Sequence, residues 1–137
     1  INDNMGHFVV SEIVKLMATK KINIVDSNIL MLGLTFKENC PDLRNTRVVE
    51  MVDELQSYNA NIDIYDPWVD SEEAFKEYGL RTIAELKSGH YDAVVIAVAH
   101  EQFQSMGVDG INALAKDNHI LYDIKYLLPS DSVDGRL

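Results

Sequence analysis

The chain contains four short apolar runs, each about the length of a β-strand. They cover residues 28–34, 62–65, 93–98 and 120–124. A continuous apolar run of about four to eight residues is typical of a strand that is covered on both faces, as in a parallel sheet. The pattern therefore predicts four parallel strands.

Apolar residues at helical spacing occupy the stretches around the first two runs. A helix predicted over residues 8–17 precedes the first strand, and its apolar side chains are Phe8, Val9, Ile13, Leu16 and Met17. A second helix follows the first strand, with Asn45 or Thr46 available as its N-cap. Its repeating apolar residues are Val48, Met51, Val52 and Leu55. Strand, helix and strand together form one βαβ unit.

Two weaker helical patterns follow. One covers residues 75–86 and is interrupted by Gly79. The other is short, begins at a cap formed by Asp109, and contains Ile111, Leu114 and Ala115. We therefore expect helices between all the later strands as well.

This alternation predicts an α/β fold, namely a Rossmann-like, doubly wound parallel sheet in a three-layer αβα sandwich. The first helix precedes the sandwich, either as a connecting helix that meets another domain or as an ordinary packing helix. Residues 129–135 are polar and rich in turn-forming residues, so we expect a frayed end there.

The composition removes several classes of function. The chain has 137 residues, with 22 acidic and 12 basic side chains and a formal net charge of −10, which repels nucleic acid and anionic membranes. Cys40 is the only cysteine, which excludes an internal disulfide and a cysteine-based zinc cluster. The four histidines lack metal-ligand spacing, and no apolar run approaches the ~20 residues that span a bilayer. We expect no nucleic-acid partner, metal site or membrane span.

Candidate binding residues follow from the position of the loops. Ligands of doubly wound sheets bind beyond the carboxyl ends of the strands. The predicted loops at that edge are residues 35–45, 66–69, 99–103 and 125–128.

The first of these loops is basic but lacks a dinucleotide motif. Gly33 stands alone after the first strand, without the G-x-G-x-x-G that lets a pyrophosphate approach the backbone. Three of the 12 basic residues, Lys37, Arg44 and Arg47, fall in or beside the loop, next to a helix start. The cluster suits an anion, while a plain solvated surface would show the same residues.

The same stretch resembles a known family. Residues 33–46, read as GLTFKENCPDLRNT, are similar to the motif that opens the C-terminal, UDP-binding domain of the UDP-glucose/GDP-mannose dehydrogenase family. The segment KENCPDLRN is most similar to that of the UDP-N-acetylhexosamine (GlcNAc, GalNAc or ManNAc) 6-dehydrogenases of bacterial capsule and surface-polysaccharide biosynthesis. Residues 65–67, 99–103 and 122–125 support the resemblance.

The resemblance implies an activity for a longer protein. In the family, an N-terminal Rossmann domain holds NAD, a central helical domain carries a catalytic cysteine, and the C-terminal domain covers the UDP-sugar. Two hydride transfers convert the C6 alcohol of the sugar to a carboxylate. Residues 1–24 would then be the end of the helix that connects the central domain to residues 25–137, the UDP-sugar-binding domain. We expect a cytoplasmic enzyme of two or more subunits, and no activity from this chain alone.

Roles for individual residues follow from the same resemblance. Phe36 and Lys37 contact the UDP-sugar, and Arg44 reaches the NAD of the neighbouring domain. A lysine is a flexible point charge, whereas the rigid fork of an arginine suits a pyrophosphate. Lys125 stands where many members have an arginine in an Asp-Gly-Arg turn, so the substrate-binding charge is kept without the fork. No catalytic residue and no metal ligand is expected in this chain.

Two other functions remain open. A stand-alone receiver-like regulatory domain would use Asp66 as phosphoacceptor and Lys125 as its charge partner, although the first strand ends without the acidic cluster that binds magnesium. A small enzyme built on Cys40 would need a histidine from another loop. Asp66 is expected to form a turn with Pro67 rather than to bind a cofactor ribose. His100 follows a buried strand, and a ligand contact there is left open.

Overall fold

Strands and helices alternate along residues 5–137, the part of the chain that the computed structural model describes; residues 1–4, the start of the predicted connecting segment, lie outside it. The elements are α1 (Met5–Thr19), β1 (Asn28–Leu32), α2 (Val48–Ser57), β2 (Asn61–Tyr65), α3 (Ser71–Tyr78), β3 (Tyr91–Ile96), α4 (Glu101–Asn112), β4 (Ala115–Asp123), a 3₁₀ helix (Ser130–Ser132) and β5 (Gly135–Arg136). No helix within this range has the length and apolar content to cross a membrane.

The strands form one parallel sheet in the order β2-β1-β3-β4-β5. The chain leaves β1 toward β2 and then returns to the other side of β1 for β3, so the direction of winding reverses between β1 and β3. Leu32 lies opposite both Tyr65 and Ile96, and Ile96 lies opposite Asp123. The carboxyl ends of four strands therefore meet at one edge, and the predicted doubly wound α/β fold is confirmed.

Helices cover both faces of this sheet. Ile29 and Met31 of β1 belong to the hydrophobic cluster that includes residues of α1, α2 and α3, whereas Leu30 and Leu32 belong to the cluster that includes residues of α4. Neighbouring strand residues face opposite sides. A strand packed on both sides must be apolar throughout, which explains the unbroken apolar run in the sequence.

Helix α1 packs on this sandwich rather than standing apart from it. Val9, Val10, Ile13 and Met17 are buried, but Phe8, predicted to share their face, is 52% exposed. At about 100° per residue, Phe8 lies opposite the centre of the face formed by Val10 and Ile13. The prediction is therefore confirmed for the helix and wrong for Phe8.

Helix α3 lies earlier in the chain than predicted. Asp70 caps its start by accepting hydrogen bonds from the N–H groups of Glu72 and Glu73, and Gly79 ends it with a φ of +71°. Residues 80–86, which the pattern assigned to the helix, lie beyond this left-handed cap. Ile83 donates its backbone N–H to the carbonyl of Ile64 instead, so the apolar residues of this segment reach the core without a helix.

Helix α4 and the C-terminal segment also differ from the prediction. A short helical part does follow a break at Gly107, where φ is +68°, but it belongs to α4, which begins at Glu101, and Asp109 lies within it rather than at its cap. Ala115 belongs to β4 rather than to a helix. The predicted frayed end instead contains a 3₁₀ helix and β5, and Asp134 exchanges two hydrogen bonds with the backbone of Leu121.

Candidate functional site

The ends of β1 and β3 approach each other closely where the winding reverses. Gly33, directly after β1, has a φ of +106°, and a Cβ on it would lie 2.6 Å from the Cβ of Val98. Only glycine tolerates both this φ and this approach. In doubly wound sheets the ligand binds in this crevice. Here the chain's own atoms fill its base, so a ligand would meet the loops above it.

A buried carboxylate joins the loops that follow β1, β2 and β3. Oδ2 of Asp66 accepts hydrogen bonds from the N–H groups of Leu34 (2.7 Å) and Thr35 (3.0 Å) and from Nε2 of His100 (3.0 Å). Oδ1 accepts from the N–H of Trp68 at 2.8 Å, which confirms the predicted turn. The side chains of Asp66 and His100 are fully buried. This pair, not foreseen from the sequence, forms the centre of the site.

The hydrogen bonds determine the protonation of this pair. Burial raises the pKa of Asp66, but the hydrogen bonds from His100 and from three backbone N–H groups outweigh burial and hold that pKa below its usual value. Nδ1 of His100 accepts a hydrogen bond from the N–H of Asn39 at 2.9 Å. Nδ1 therefore carries no proton, and Nε2 carries the proton that faces Asp66. The pair is a carboxylate and a neutral imidazole.

Loop 35–39 is attached at both ends. At its start, the N–H of Thr35 donates to Oδ2 of Asp66, and the hydroxyl of Thr35 donates within the loop to the carbonyl of Lys37 at 3.1 Å. At its end, the side-chain oxygen of Asn39 accepts from the N–H of Glu101 at 2.9 Å, in addition to the bond between Asn39 and His100. The start of α4 and the end of β1 thus hold one loop between them.

Two of the three residues predicted to contact substrate, Phe36 and Lys37, lie between these attachments. Phe36 is 50% exposed, and Lys37 is also exposed. The N–H of Phe36 donates to the carbonyl of Asp42 at 2.7 Å, which closes the longer loop on itself. An apolar ring and an ammonium group are therefore displayed together at the carboxyl edge of the sheet, an arrangement that suits a ligand with both planar and anionic parts.

Arg44 is held by a neighbour within the same loop. Its Nε and Nη2 donate to the two carboxylate oxygens of Asp42 at 3.0 and 3.1 Å, and its backbone N–H donates to Oδ1 at 2.9 Å. The hydrogen bonds from Arg44 hold the pKa of Asp42 below its usual value. The arginine side chain is still 86% exposed. The guanidinium group therefore has a defined direction while it faces solvent.

Lys125 lies in a separate loop of the same edge. Asp123 shapes that loop, because its Oδ1 accepts from the N–H of Lys125 at 3.1 Å and its Oδ2 from the N–H of Leu128 at 2.8 Å. The side chain of Lys125 is exposed. Strand β3 lies between β1 and β4, so the strand ends that carry Lys37 and Lys125 are about 10 Å apart. The structure places the two lysines at one edge but not side by side.

Two hollows on the described surface lie away from these residues. One is lined by residues within 70–82, and the other by residues within 21–27 and 116–118 together with Asp92. Neither is lined by Phe36, Lys37, Arg44 or Lys125. These four side chains project from an open edge of the domain.

A comparison with known families identifies the domain. Residues 30–130 match the model of the UDP-glucose/GDP-mannose dehydrogenase family, UDP binding domain. The chain belongs to this family. The loop that first suggested the resemblance and the structural edge at which it lies are both within the matched UDP-binding domain.

Individual relatives agree with the family. The UDP-binding domain is 52% identical over 137 residues to UDP-N-acetyl-D-glucosamine 6-dehydrogenase of Salmonella typhi and 50% identical over 137 residues to that of Pseudomonas aeruginosa, in each case covering 100% of this chain and 32% of the relative. The chain thus spans about a third of the length of these proteins. The crystal structure of an NDP-N-acetyl-D-galactosaminuronic acid dehydrogenase from Methanosarcina mazei has the same fold, with a TM-score of 0.83 at 21% identity over 96% of this chain and 27% of that chain.

Neither alternative function is supported in the UDP-binding domain. Asp66 is buried and accepts four hydrogen bonds, so it is not accessible as the phosphoacceptor of a receiver. His100 uses both ring nitrogens for other partners and has none left to activate Cys40. Within residues 5–137 no group of three or more His, Cys, Asp or Glu side chains is placed to hold a metal ion.

Sequence reasoning missed the residues that hold the loop in the UDP-binding domain. Thr35, Asp66 and His100 each stand just after a predicted strand, and the carboxyl ends of neighbouring parallel strands meet at one edge. This signal could have placed the three side chains near one another. It could not have shown which atom pairs with which, because that depends on the depth at which each loop turns.

Proposed function

We propose that this domain is part of an NAD-dependent nucleotide-sugar 6-dehydrogenase, which oxidises the C6 alcohol of a UDP-N-acetylhexosamine to the carboxylate of a uronic acid. The names of the two relatives that are at least 50% identical support this reaction. The nucleophilic cysteine and most of the NAD site are assigned to other domains of a longer chain, which residues 1–24 help to connect. A cytoplasmic location and an assembly of two or more subunits belong to the same proposal.

The observation that carries the proposal is that loop 35–39 is held by hydrogen bonds at both ends while the side chains between them are exposed. The loop is attached through Thr35 and Asn39, while Phe36 and Lys37 between them stay exposed. A loop that is ordered before binding loses less conformational entropy when the ligand arrives. An exposed phenylalanine in such a loop is better explained by a ligand or a domain surface than by folding.

Each substrate residue has a role that suits its chemistry. The ammonium group of Lys37 supplies a mobile positive charge for the diphosphate or a sugar oxygen. Phe36 offers a flat apolar surface beside that charge. Lys125, which follows a strand end about 10 Å away across β3, contacts another part of the same extended ligand.

Arg44 is assigned to NAD, which accepts the hydride in such oxidations. Its guanidinium group fits a pyrophosphate because it is planar, 86% exposed and oriented by Asp42. The segment after β1 has Gly33 but no glycine-rich cradle, so this domain contributes to the NAD site from outside.

Calorimetric titration of the full-length enzyme with UDP-N-acetylglucosamine tests the proposal. Lys37→Ala is expected to weaken binding by about tenfold or more, because one charge-assisted contact is lost. Lys76→Ala is the matched control, since Lys76 is an exposed lysine of α3, outside the connecting segment. Equal affinities for the wild type and Lys37→Ala would contradict the proposal.

The assignment of the chemistry to other domains has its own test. The 137-residue chain alone is expected to reduce no NAD with any UDP-sugar. Turnover above background that persists in Cys40→Ala would place catalytic groups within this chain and overturn the assignment.

A further inference from the structure

We infer that His100 is a positioning residue for substrate binding, which holds loop 35–39 through the unprotonated Nδ1 of its ring. The inference rests on the proposed function, because its consequence is that Phe36 and Lys37 meet the UDP-sugar in one arrangement. His100 does not touch substrate itself, since its side chain is fully buried.

The first step is that neither ring nitrogen of His100 is available to a substrate. Nε2 of His100 lies 3.0 Å from Oδ2 of Asp66 and 3.2 Å from the hydroxyl of Thr35, and Nδ1 accepts from the N–H of Asn39 at 2.9 Å. The ring also lies against that of Phe103, with centroids 5.4 Å apart. A general base needs a nitrogen that can reach a substrate proton. Here both nitrogens already have partners inside the domain.

The second step concerns the direction of these hydrogen bonds. Asp66 is a carboxylate and can only accept, so the ring proton must be on Nε2. That choice leaves Nδ1 as an acceptor, which is what the N–H of Asn39 requires. Asp66 therefore acts on Asn39 through His100, while it binds the N–H groups of Leu34 and Thr35 directly. One carboxylate sets both ends of loop 35–39.

The third step is that the loop has little else to hold it at this end. The N–H groups of Lys37 and Glu38 have no hydrogen-bond acceptor within residues 5–137, whereas that of Asn39 has His100. Among the described residues, the other hydrogen bond of Asn39 is the one that its side chain accepts from the N–H of Glu101. Loss of the Nδ1 acceptor would therefore release the part of the loop that follows Lys37.

Two substitutions distinguish the role of Nδ1 of His100 from that of Nε2. In His100→Asn the side-chain oxygen takes the place of Nδ1, so the acceptor for Asn39 is kept and the donor to Asp66 is lost. In His100→Gln the amide nitrogen reaches the place of Nε2, so the donor to Asp66 is kept and the acceptor is lost. If His100 only filled space in the core, the longer glutamine would be the milder change.

Steady-state kinetics of the full-length enzyme then give the first readout. We expect His100→Gln to raise KM for UDP-N-acetylglucosamine by about tenfold with kcat within about twofold of the wild type, because the loop contacts the substrate equally in the ground and transition states. His100→Asn should raise KM by less than about threefold. Equal KM values for the two variants, or a larger increase for His100→Asn, would overturn the inference.

Hydrogen exchange gives a second readout that needs no activity. In the wild type, the amide of Asn39 should exchange at least about tenfold more slowly than those of Lys37 and Glu38, and His100→Gln should remove that difference. Equal exchange at the three amides of the wild type would also overturn the inference, even if both variants failed to fold. Lys37→Ala separates the two proposals, because it should weaken substrate binding without changing exchange at Asn39. Unchanged binding in Lys37→Ala would contradict the proposed function and leave the exchange test of His100 intact.

Discussion

The loop after β1 and the loop after β4 lie at the same edge of the sheet, and each presents an exposed lysine. They are held in different ways. Loop 35–39 is attached to the loop after β2 through Asp66 and to the start of α4 through His100. The loop with Lys125 takes its shape from Asp123, a residue of its own strand only two positions earlier.

The difference shows that the place of a strand in the sheet determines how many neighbouring loops can hold the loop that follows it. At the reversal of winding, β1 has neighbours on both sides, so its loop can be bonded to two other loops. Strand β4 has only the two-residue β5 on its outer side. We expect the position of Lys37 to depend on Asp66 and His100, and that of Lys125 to depend mainly on Asp123, with a further contact between the neighbouring Tyr126 and Arg136.

Asp66→Asn should have the largest effect. The amide offers one acceptor oxygen where the carboxylate receives four hydrogen bonds, so we expect a loss of about 2–3 kcal/mol in the free energy of unfolding at pH 7. Urea unfolding of this chain measures it. Faster hydrogen exchange throughout loop 35–39 should accompany the loss, and unaltered exchange there would contradict the view that Asp66 holds both ends.

The contribution of Asp66 to the free energy of unfolding should also depend on pH. Its pKa is lower in the folded chain than the ordinary value of 3.8, so its contribution to stability is complete above that value and is lost as the pH falls through the folded pKa. The difference in unfolding free energy between the wild type and Asp66→Asn should therefore shrink at low pH. A difference of equal size at pH 7 and pH 2 would show that the charge of Asp66 contributes nothing.

Asp123→Asn should have a smaller and more local effect. One of the two hydrogen bonds to Lys125 and Leu128 can be kept by the amide oxygen, so we expect a loss of about 1 kcal/mol. Hydrogen exchange should change in residues 125–128 and not in loop 35–39. A response of both loops would mean that they are coupled across β3 and are not held independently.

Arg44→Ala tests whether the loop after β1, which carries Arg44, contributes to the NAD site. In the full-length enzyme, KM for NAD should rise by about tenfold, and KM for the UDP-sugar should change by less than about twofold. Arg81→Ala is the matched control, because Arg81 is an exposed arginine placed over Phe75 in another part of the domain. An unchanged NAD dependence in Arg44→Ala would remove the assigned role.

Lys125→Ala should have the smallest effect. An exposed lysine on a short local turn contributes a weak, screened interaction, so we expect UDP-sugar affinity to fall by about threefold, less than in Lys37→Ala. Calorimetry with both variants compares the two loops directly. A larger loss for Lys125→Ala would reverse their order of importance.

Much of the architecture could be predicted because it depends on local pattern. The runs that became the central strands β1 and β3 must be apolar on both faces in a parallel sheet, and that requirement is visible in a single sequence. The family could be recognised from residues 33–46 because its motif is contiguous. The helices were placed less well, since Gly79 and Gly107 interrupt patterns that have few apolar residues.

The sequence by itself therefore determined β1 to β4, their parallel arrangement and the loops that carry Phe36, Lys37, Arg44 and Lys125, but not β5. Only the tertiary structure decided how those loops are held. Asp66 and His100 are 34 positions apart, and their pairing requires β2 and β3 to end at the same edge. A hydrogen bond depends on distance and direction between atoms of separate segments, which spacing along the chain does not encode.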